Sequence, residues 1–241
     1  MSLEFQSVTF LSEAPARDAS FWSTVLGRSA RDDAGGILLA GDARQVGIRF
    51  AAGPGHGGKR NRLHLHLSRV DRNQSETIAA CVEHGGRLRG NGHVPEGSYA
   101  AMADVVDDEF CVIEDDDGYL AGCGPLGEVT CEGTRATGEF WSKALDWPVV
   151  WDRGEEVAIQ APAGGTKLAW SGEPIETGKP TDRQYFTLVA SWGRFDDELE
   201  RLRELGATDP SSERPGVASL RDPDGVRFVV RASSEDDIRR R

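Results

Sequence analysis

The sequence predicts an α+β protein of two tandem domains, each built from a pair of strand–helix–three-strand units, and three observations predict it. Residues 61–67 read N-R-L-H-L-H-L, the apolar–polar alternation of a half-buried strand. That stretch has an echo in D-R-Q-Y-F-T-L at 182–188, with Arg62 and Arg183 standing 121 positions apart. Other landmarks return at nearly the same offset. F-W-S-T-V-L from Phe21 comes back as F-W-S-K-A-L from Phe140 after 119 positions, Gly85 as Gly206 after 121, and Phe110 as Phe228 after 118. The expected domains are residues 1–117 and 118–241.

Each element follows from local pattern. Residues 3–11 alternate and open the first domain as a strand. Residues 18–26 form a helix with Phe21, Trp22, Val25 and Leu26 on one face and Gly27 as its stop. Short strands are expected at 28–32, 37–40 and 46–51, each bounded by Gly or Asp. The glycine-rich stretch 53–58 leads into the strand at 61–67. A second amphipathic helix, 75–84, is closed by Gly85 and Gly86, and strands at 87–89, 99–106 and 109–114 complete the half. The second half repeats the order: strand 129–132, helix 137–145, strands 149–152, 156–161, 167–170 and 184–190, helix 194–205 closed by Gly206, and strands 217–220 and 226–231. Between the halves, the acidic run Glu114-Asp115-Asp116-Asp117-Gly118 reads as the start of a solvated linker, and residues 233–241 as a frayed tail.

Composition narrows the function classes. The net charge of −12 divides evenly, with 18 acids and 12 bases in residues 1–121 and 22 and 16 in the remainder. Without a basic face, nucleic-acid binding is disfavoured. No apolar run approaches the roughly 20 residues of a membrane helix. The opening M-S-L-E-F-Q carries no secretory pattern, and four cysteines without a C-x-x-C pair are too few for a disulfide framework, so a reduced, cytoplasmic chain is expected.

Two motifs are decoys. G-P-G-H-G-G-K at 53–59 resembles a phosphate loop, but Arg60 stands where Ser or Thr is needed and a strand follows instead of a helix. His64 and His66 share one strand face, as metal ligands do in cupins. That pattern wants a glutamate four or five residues on, where Val70 and Asp71 stand, and a later histidine after P-x-G, where Ser98, Tyr99 and Ala100 follow residues 95–97.

The repeated unit, with F-W ahead of a helix-ending L-G, resembles the vicinal oxygen chelate superfamily of glyoxalase I, extradiol dioxygenases and bleomycin-resistance proteins. D-P-D-G at 222–225 is similar to its last hairpin. N-R-L-H-L at 61–65 with E-F-C-V-I at 109–113 resembles the glyoxalase-like branch. The resemblance spans residues 3–232. It implies curved, cup-like mixed sheets of eight strands, drawn from one domain or exchanged between two, and a monomer with an internal pseudo-dimer or a homodimer.

Metal-using members draw ligands from the first, fourth, mid-domain and last strands. Carried over, these positions fall on Ser7, His64 and Cys111 in the first half, with no acid in residues 46–50. In the second half they fall near Glu128 and on Tyr185 and Val229. Only His64 matches a ligand the family uses, and a divalent ion needs several converging donors. The resemblance therefore points to a small-molecule binding protein, for a metabolite or antibiotic, with no cofactor. The alternative is a metal-dependent lyase, isomerase or dioxygenase centred on His64. Expected pocket residues are Ser7, His64, His66, Cys111, Trp151, Trp170 and Tyr185. The catalytic candidates are His64, as ligand or base, and Cys111, as a thiolate if a histidine adjoins it.

Overall fold

The computed structural model describes all residues except 1, 34, 56–60, 69–71, 91–93, 95–97, 173–181 and 235–241, and only the backbone of 209–214. The first half runs β1 (Leu3–Ser12), α1 (Pro15–Leu26), β2 (Ala30–Asp33), β3 (Gly36–Leu39), β4 (Gly47–Ala52), β5 (Leu63–Leu67), α2 (Gln74–Glu83), β6 (Arg87–Leu88), β7 (Ala100–Ala103) and β8 (Glu109–Val112). The second runs β9 (Leu126–Cys131), α3 (Arg135–Leu145), β10 (Val149–Arg153), β11 (Glu156–Gln160), β12 (Lys167–Ser171), β13 (Gln184–Ala190), α4 (Phe195–Glu204), β14 (Thr208–Arg214), β15 (Val217–Arg221) and β16 (Arg227–Ala232).

Among the described residues, these strands make two eight-stranded mixed sheets. The first has the order β14-β15-β16-β13-β1-β4-β3-β2 and the second β10-β11-β12-β9-β5-β8-β7-β6. Each sheet takes one unit from each half of the chain, so the units are exchanged. The seams are antiparallel: Ser7 faces Thr187 where β1 meets β13, and His66 faces Glu128 where β5 meets β9. The polar edge strand β14 was not foreseen, because residues 208–214 (T-D-P-S-S-E-R) carry no apolar alternation.

The repeated F-W-S motif has a physical reason. In α1 the Trp22 indole donates to Asp104 Oδ2 at 3.0 Å, while Asp104 Oδ1 accepts the backbone amides of Val106 and Asp108. In α3 the Trp141 indole donates to Asp222 Oδ2 at 3.2 Å, and Asp222 Oδ1 takes the amides of Asp224 and Val226. Each tryptophan thus ties a helix to the hairpin before its half's last strand. Burial raises both carboxyls, Asp104 to about 7 and Asp222 to about 6. The serine of each motif holds the turn after the helix, Ser23 on the Arg28 carbonyl and Ser142 on that of Trp147. Gly27 and Asp146 end these helices in the left-handed conformation.

The helices pack on one face of the sheets, where a single apolar core gathers Phe21, Trp22, Phe110, Phe140, Trp141 and Trp170 among others. The strand at 61–67 and its echo meet there. The Gln184 side chain accepts from the Leu63 amide at 3.1 Å and donates to the Leu63 carbonyl at 3.0 Å. Arg183 forms a buried ion pair with Asp108 and a 2.6 Å hydrogen bond to Asn61 Oδ1. Asn61, just ahead of β5, closes the triangle by donating to Asp108 at 2.9 Å. No described helix is long and apolar enough to cross a membrane.

Candidate functional site

Alternation decides which side chains turn away from the helices. On β1, Val8 and Phe10 enter the core, so Ser7 and Thr9 face the other way. On β5, Leu63, Leu65 and Leu67 enter the core and leave His64 and His66 on the opposite face. Each sheet carries a row of four residues across its centre on that helix-free face.

On the second sheet the row is Lys167, Glu128, His66 and Cys111, each directly opposite the next on strands β12, β9, β5 and β8. His66 Nδ1 lies 2.8 Å from Glu128 Oε2. Burial alone would lower the imidazole, but the Cys111 thiol and the Glu128 carboxylate outweigh it and hold the pKa at about 9. His66 is therefore charged at neutral pH and donates to Glu128. The second carboxylate oxygen accepts the Tyr119 hydroxyl at 2.6 Å. Burial and the adjacent Glu128 both raise the Tyr119 phenol, so it stays protonated. The Lys167 ammonium donates to the Tyr119 carbonyl and lies 3.7 Å from the centre of its ring. Trp151 meets the same ring edge-on at 4.9 Å. In the acidic run 114–117, Asp115 and Asp116 are exposed and Glu114 and Asp117 half-buried, and the chain beyond it turns inward: Leu120 and Cys123 are buried with Cys111 and Ile113.

On the first sheet the corresponding row is Gly47, Ser7, Thr187 and Val229. Ser7 is fully buried, and its hydroxyl has no hydrogen-bond partner among the described residues. Thr9 and Thr187 share a 2.8 Å hydrogen bond. Arg49 on β4, opposite Thr9, pairs with Asp33 and donates to Gln6 Oε1 at 2.8 Å. Arg231 reaches the same Gln6 oxygen at 3.2 Å, and Arg227 lies 4.4 Å over the Tyr185 ring and bonds Ser219 at 2.9 Å.

The sequence-derived candidates are thus divided. Ser7 and Tyr185 lie on the first sheet. His64, His66, Cys111 and Trp151 lie on the second, and Trp170 packs in the core, stacked on Trp141 at 6.5 Å. Ser7 does not meet His64 or Cys111, because β1 pairs with β13 and β4 and β5 pairs with β9 and β8. His64 is opposite Thr130, its Nε2 3.0 Å from the Asn61 carbonyl. The residue between Glu128 and Cys111 is His66, two positions on. Sequence reasoning missed Tyr119, Lys167 and Arg49. The charge of Lys167 and Arg49 within otherwise apolar strands was the available signal. His56 and His93 lie outside the described residues. A cleft of about 210 Å³ lies away from both rows, between α1, α2 and the end of β5, and none of the candidates lines it.

Two comparisons fit this architecture. The glyoxalase-like domain family matches the sequence twice, over residues 7–113 and 128–231. The chain belongs to that family. Among solved structures, glyoxalase I from Zea mays superposes with a TM-score of 0.66 at 15% identity, covering 99% of this chain and 95% of that one. A variant of the same enzyme gives 0.64 at 15%, covering 99% and 96%. At such identities the likeness concerns the fold alone. No curated protein matches the sequence.

The divalent metal used by some members of the superfamily does not fit the residues present. No group of three or more His, Cys, Asp or Glu side chains among the described residues is arranged to hold an ion. On the second sheet both Glu128 oxygens already accept hydrogen bonds, His66 carries its own charge, and Lys167 brings a further cation beside Glu128. On the first sheet the row holds two hydroxyls, an aliphatic side chain and a glycine, which is no donor set for a hard cation.

Proposed function

We propose that this glyoxalase-like protein binds a small molecule without a metal, and that the ligand seats on the helix-free face of the first sheet. The observation that supports this is what fills each face. The second sheet is served from within, since Tyr119 and Lys167 occupy the space over the Glu128–His66 pair. The first sheet keeps a fully buried hydroxyl, Ser7, without a partner among the described residues. Buried polar groups rarely go unpaired, and a group left so calls for a missing partner. We take the ligand to be a metabolite or antibiotic met in the cytoplasm by a monomer with an internal pseudo-dimer or by a homodimer.

The test has two arms. Calorimetric titration of chelator-treated protein with nickel and zinc is expected to show no stoichiometric uptake. Hydrogen exchange against a metabolite library is expected to yield a compound that protects β1 and β4. Stoichiometric metal binding with protection of β5, β8 and β9 would overturn the reading.

A second reading, thiol chemistry, is favoured by one observation: the charged His66 stands next to Cys111. Alkylation of Cys111 by iodoacetamide that is slowed by His66→Gln would support it.

A further inference from the structure

We propose that the ligand of the first sheet is an anion, and that one of its carboxylate or phosphoryl oxygens seats between Ser7 and Arg49. This rests on the reading that the ligand lies on that sheet, and it adds the chemical class.

Two buried polar groups on neighbouring strands leave hydrogen bonds unmade. Ser7 is 0% exposed and its Oγ has no partner among the described residues. Arg49 is 3% exposed; its two terminal nitrogens reach Asp33 and Gln6, but its Nε–H is also left without a partner. In the parallel pairing of β1 and β4, Ser7 faces Gly47 and Thr9 faces Arg49, so both orphaned groups lie on the same face. Gly47, directly opposite Ser7, adds no side chain to that face, and a Cβ there would come within 2.5 Å of the Gln6 carbonyl.

A buried donor left unmade costs on the order of 1–3 kcal/mol, more when it is charged. Two such donors on one face of neighbouring strands can be served by one ligand group. A neutral carbonyl would serve Ser7, but a guanidinium N–H bonds about twice as strongly to an ionised oxygen, and its planar fork suits carboxylate and phosphate. Arg227 and Arg231 stand on the same face, on β16. Asp33 is the one described acid paired with Arg49 there, and it engages a terminal nitrogen, leaving Nε open.

The experiment is a thermal-shift and hydrogen-exchange series on the full chain at fixed ionic strength. Inorganic phosphate and succinate are the probes, and succinamide is the neutral isostere of succinate. Phosphate or succinate is expected to raise the melting temperature saturably and to slow exchange on β1 and β4, and succinamide is not; which anion prevails tells phosphoryl from carboxylate. Ser7→Ala is expected to weaken the anion about tenfold, and its own melting temperature serves as the fold control. Ser7→Asp, which places a like charge in the seat, is expected to abolish the shift. The proposal falls if neither anion gives a saturable shift, or if Ser7→Ala binds both as the wild type does. It also falls if succinamide protects β1 and β4 as well as succinate; in that case the first sheet remains the ligand face and only the anionic class is lost.

Discussion

The two sheets share one strand order and one ancestry in the repeat, yet their helix-free faces differ in a single respect that decides everything else. On the second sheet the central row, Lys167–Glu128–His66–Cys111, is completed by the protein's own Tyr119. On the first sheet the equivalent row, Gly47–Ser7–Thr187–Val229, ends in a hydroxyl with nothing described to bond. Same scaffold, different use of hydrogen bonds: the central row of the second sheet is completed by the protein's own groups, and that of the first is left to be completed. The lesson is that duplication fixes where side chains point, while the residues at four positions fix what each face can do.

The most damaging way to test this comparison is to cut the tie between the faces. Arg183 belongs to the first sheet's β13 entry, and its partners Asp108 and Asn61 flank strands of the second. Arg183→Met leaves Asp108 buried and uncompensated, a change that costs about 3–5 kcal/mol. Urea denaturation should show that loss, and hydrogen exchange should show both sheets losing protection together. Protection lost on one sheet only would mean that the two faces fold independently. Adding Asp108→Asn should recover part of the stability, because the stranded charge is gone.

The next effect is confined to the second face. The folded pKa of His66, about 9, lies above its ordinary value of 6.5. The stabilisation from its charge is therefore present in full below about pH 6.5 and fades as the pH rises through 9. Glu128→Gln removes the charged partner while keeping an acceptor for Tyr119. It should lower the His66 pKa by NMR titration and destabilise the fold at pH 6 by about 2 kcal/mol. At pH 10 the penalty should shrink. A penalty that does not change with pH would mean that Glu128 acts by packing and not by charge.

How much of this was legible beforehand follows from the range of each signal. Helices and most strands show in the sequence because their periodicities are local, and the F-W-S repeat exposed the duplication. The exchange of units is not local. Whether β1 pairs with β5 or with β13 depends on residues such as Gln184, which brackets the Leu63 backbone from 121 positions away. The family resemblance offered both arrangements and the residues could not choose between them. The same gap separated Ser7 from Cys111, which the sequence had grouped in one half. His66 was visible as a polar residue on a strand, but its partners Glu128 and Cys111 come from two other strands, so nothing near it in sequence marked it over His64. Tyr119 was hidden behind the acidic run, whose exposed side chains say nothing of the buried residues that follow.

The smallest expected effect is the sharpest discriminator, because it applies the same chemical edit to both faces. Tyr119→Phe deletes a hydroxyl that donates to Glu128 at 2.6 Å. A hydrogen bond to a charged acceptor contributes about 1.5–3 kcal/mol, so the variant should unfold at lower urea by roughly that amount. Ser7→Ala deletes a hydroxyl that is just as enclosed but bonds no described group. With no partner to strand and a desolvated polar atom removed, its stability should stay within ~0.5 kcal/mol of the wild type or rise slightly. If the two variants lose stability equally, then Ser7 has an internal partner, the faces are alike, and the first sheet has no seat left for a ligand. If only Tyr119→Phe is destabilised, the hydroxyl of Ser7 is carried by the fold without contributing to it, which is the mark of a group kept for something that binds.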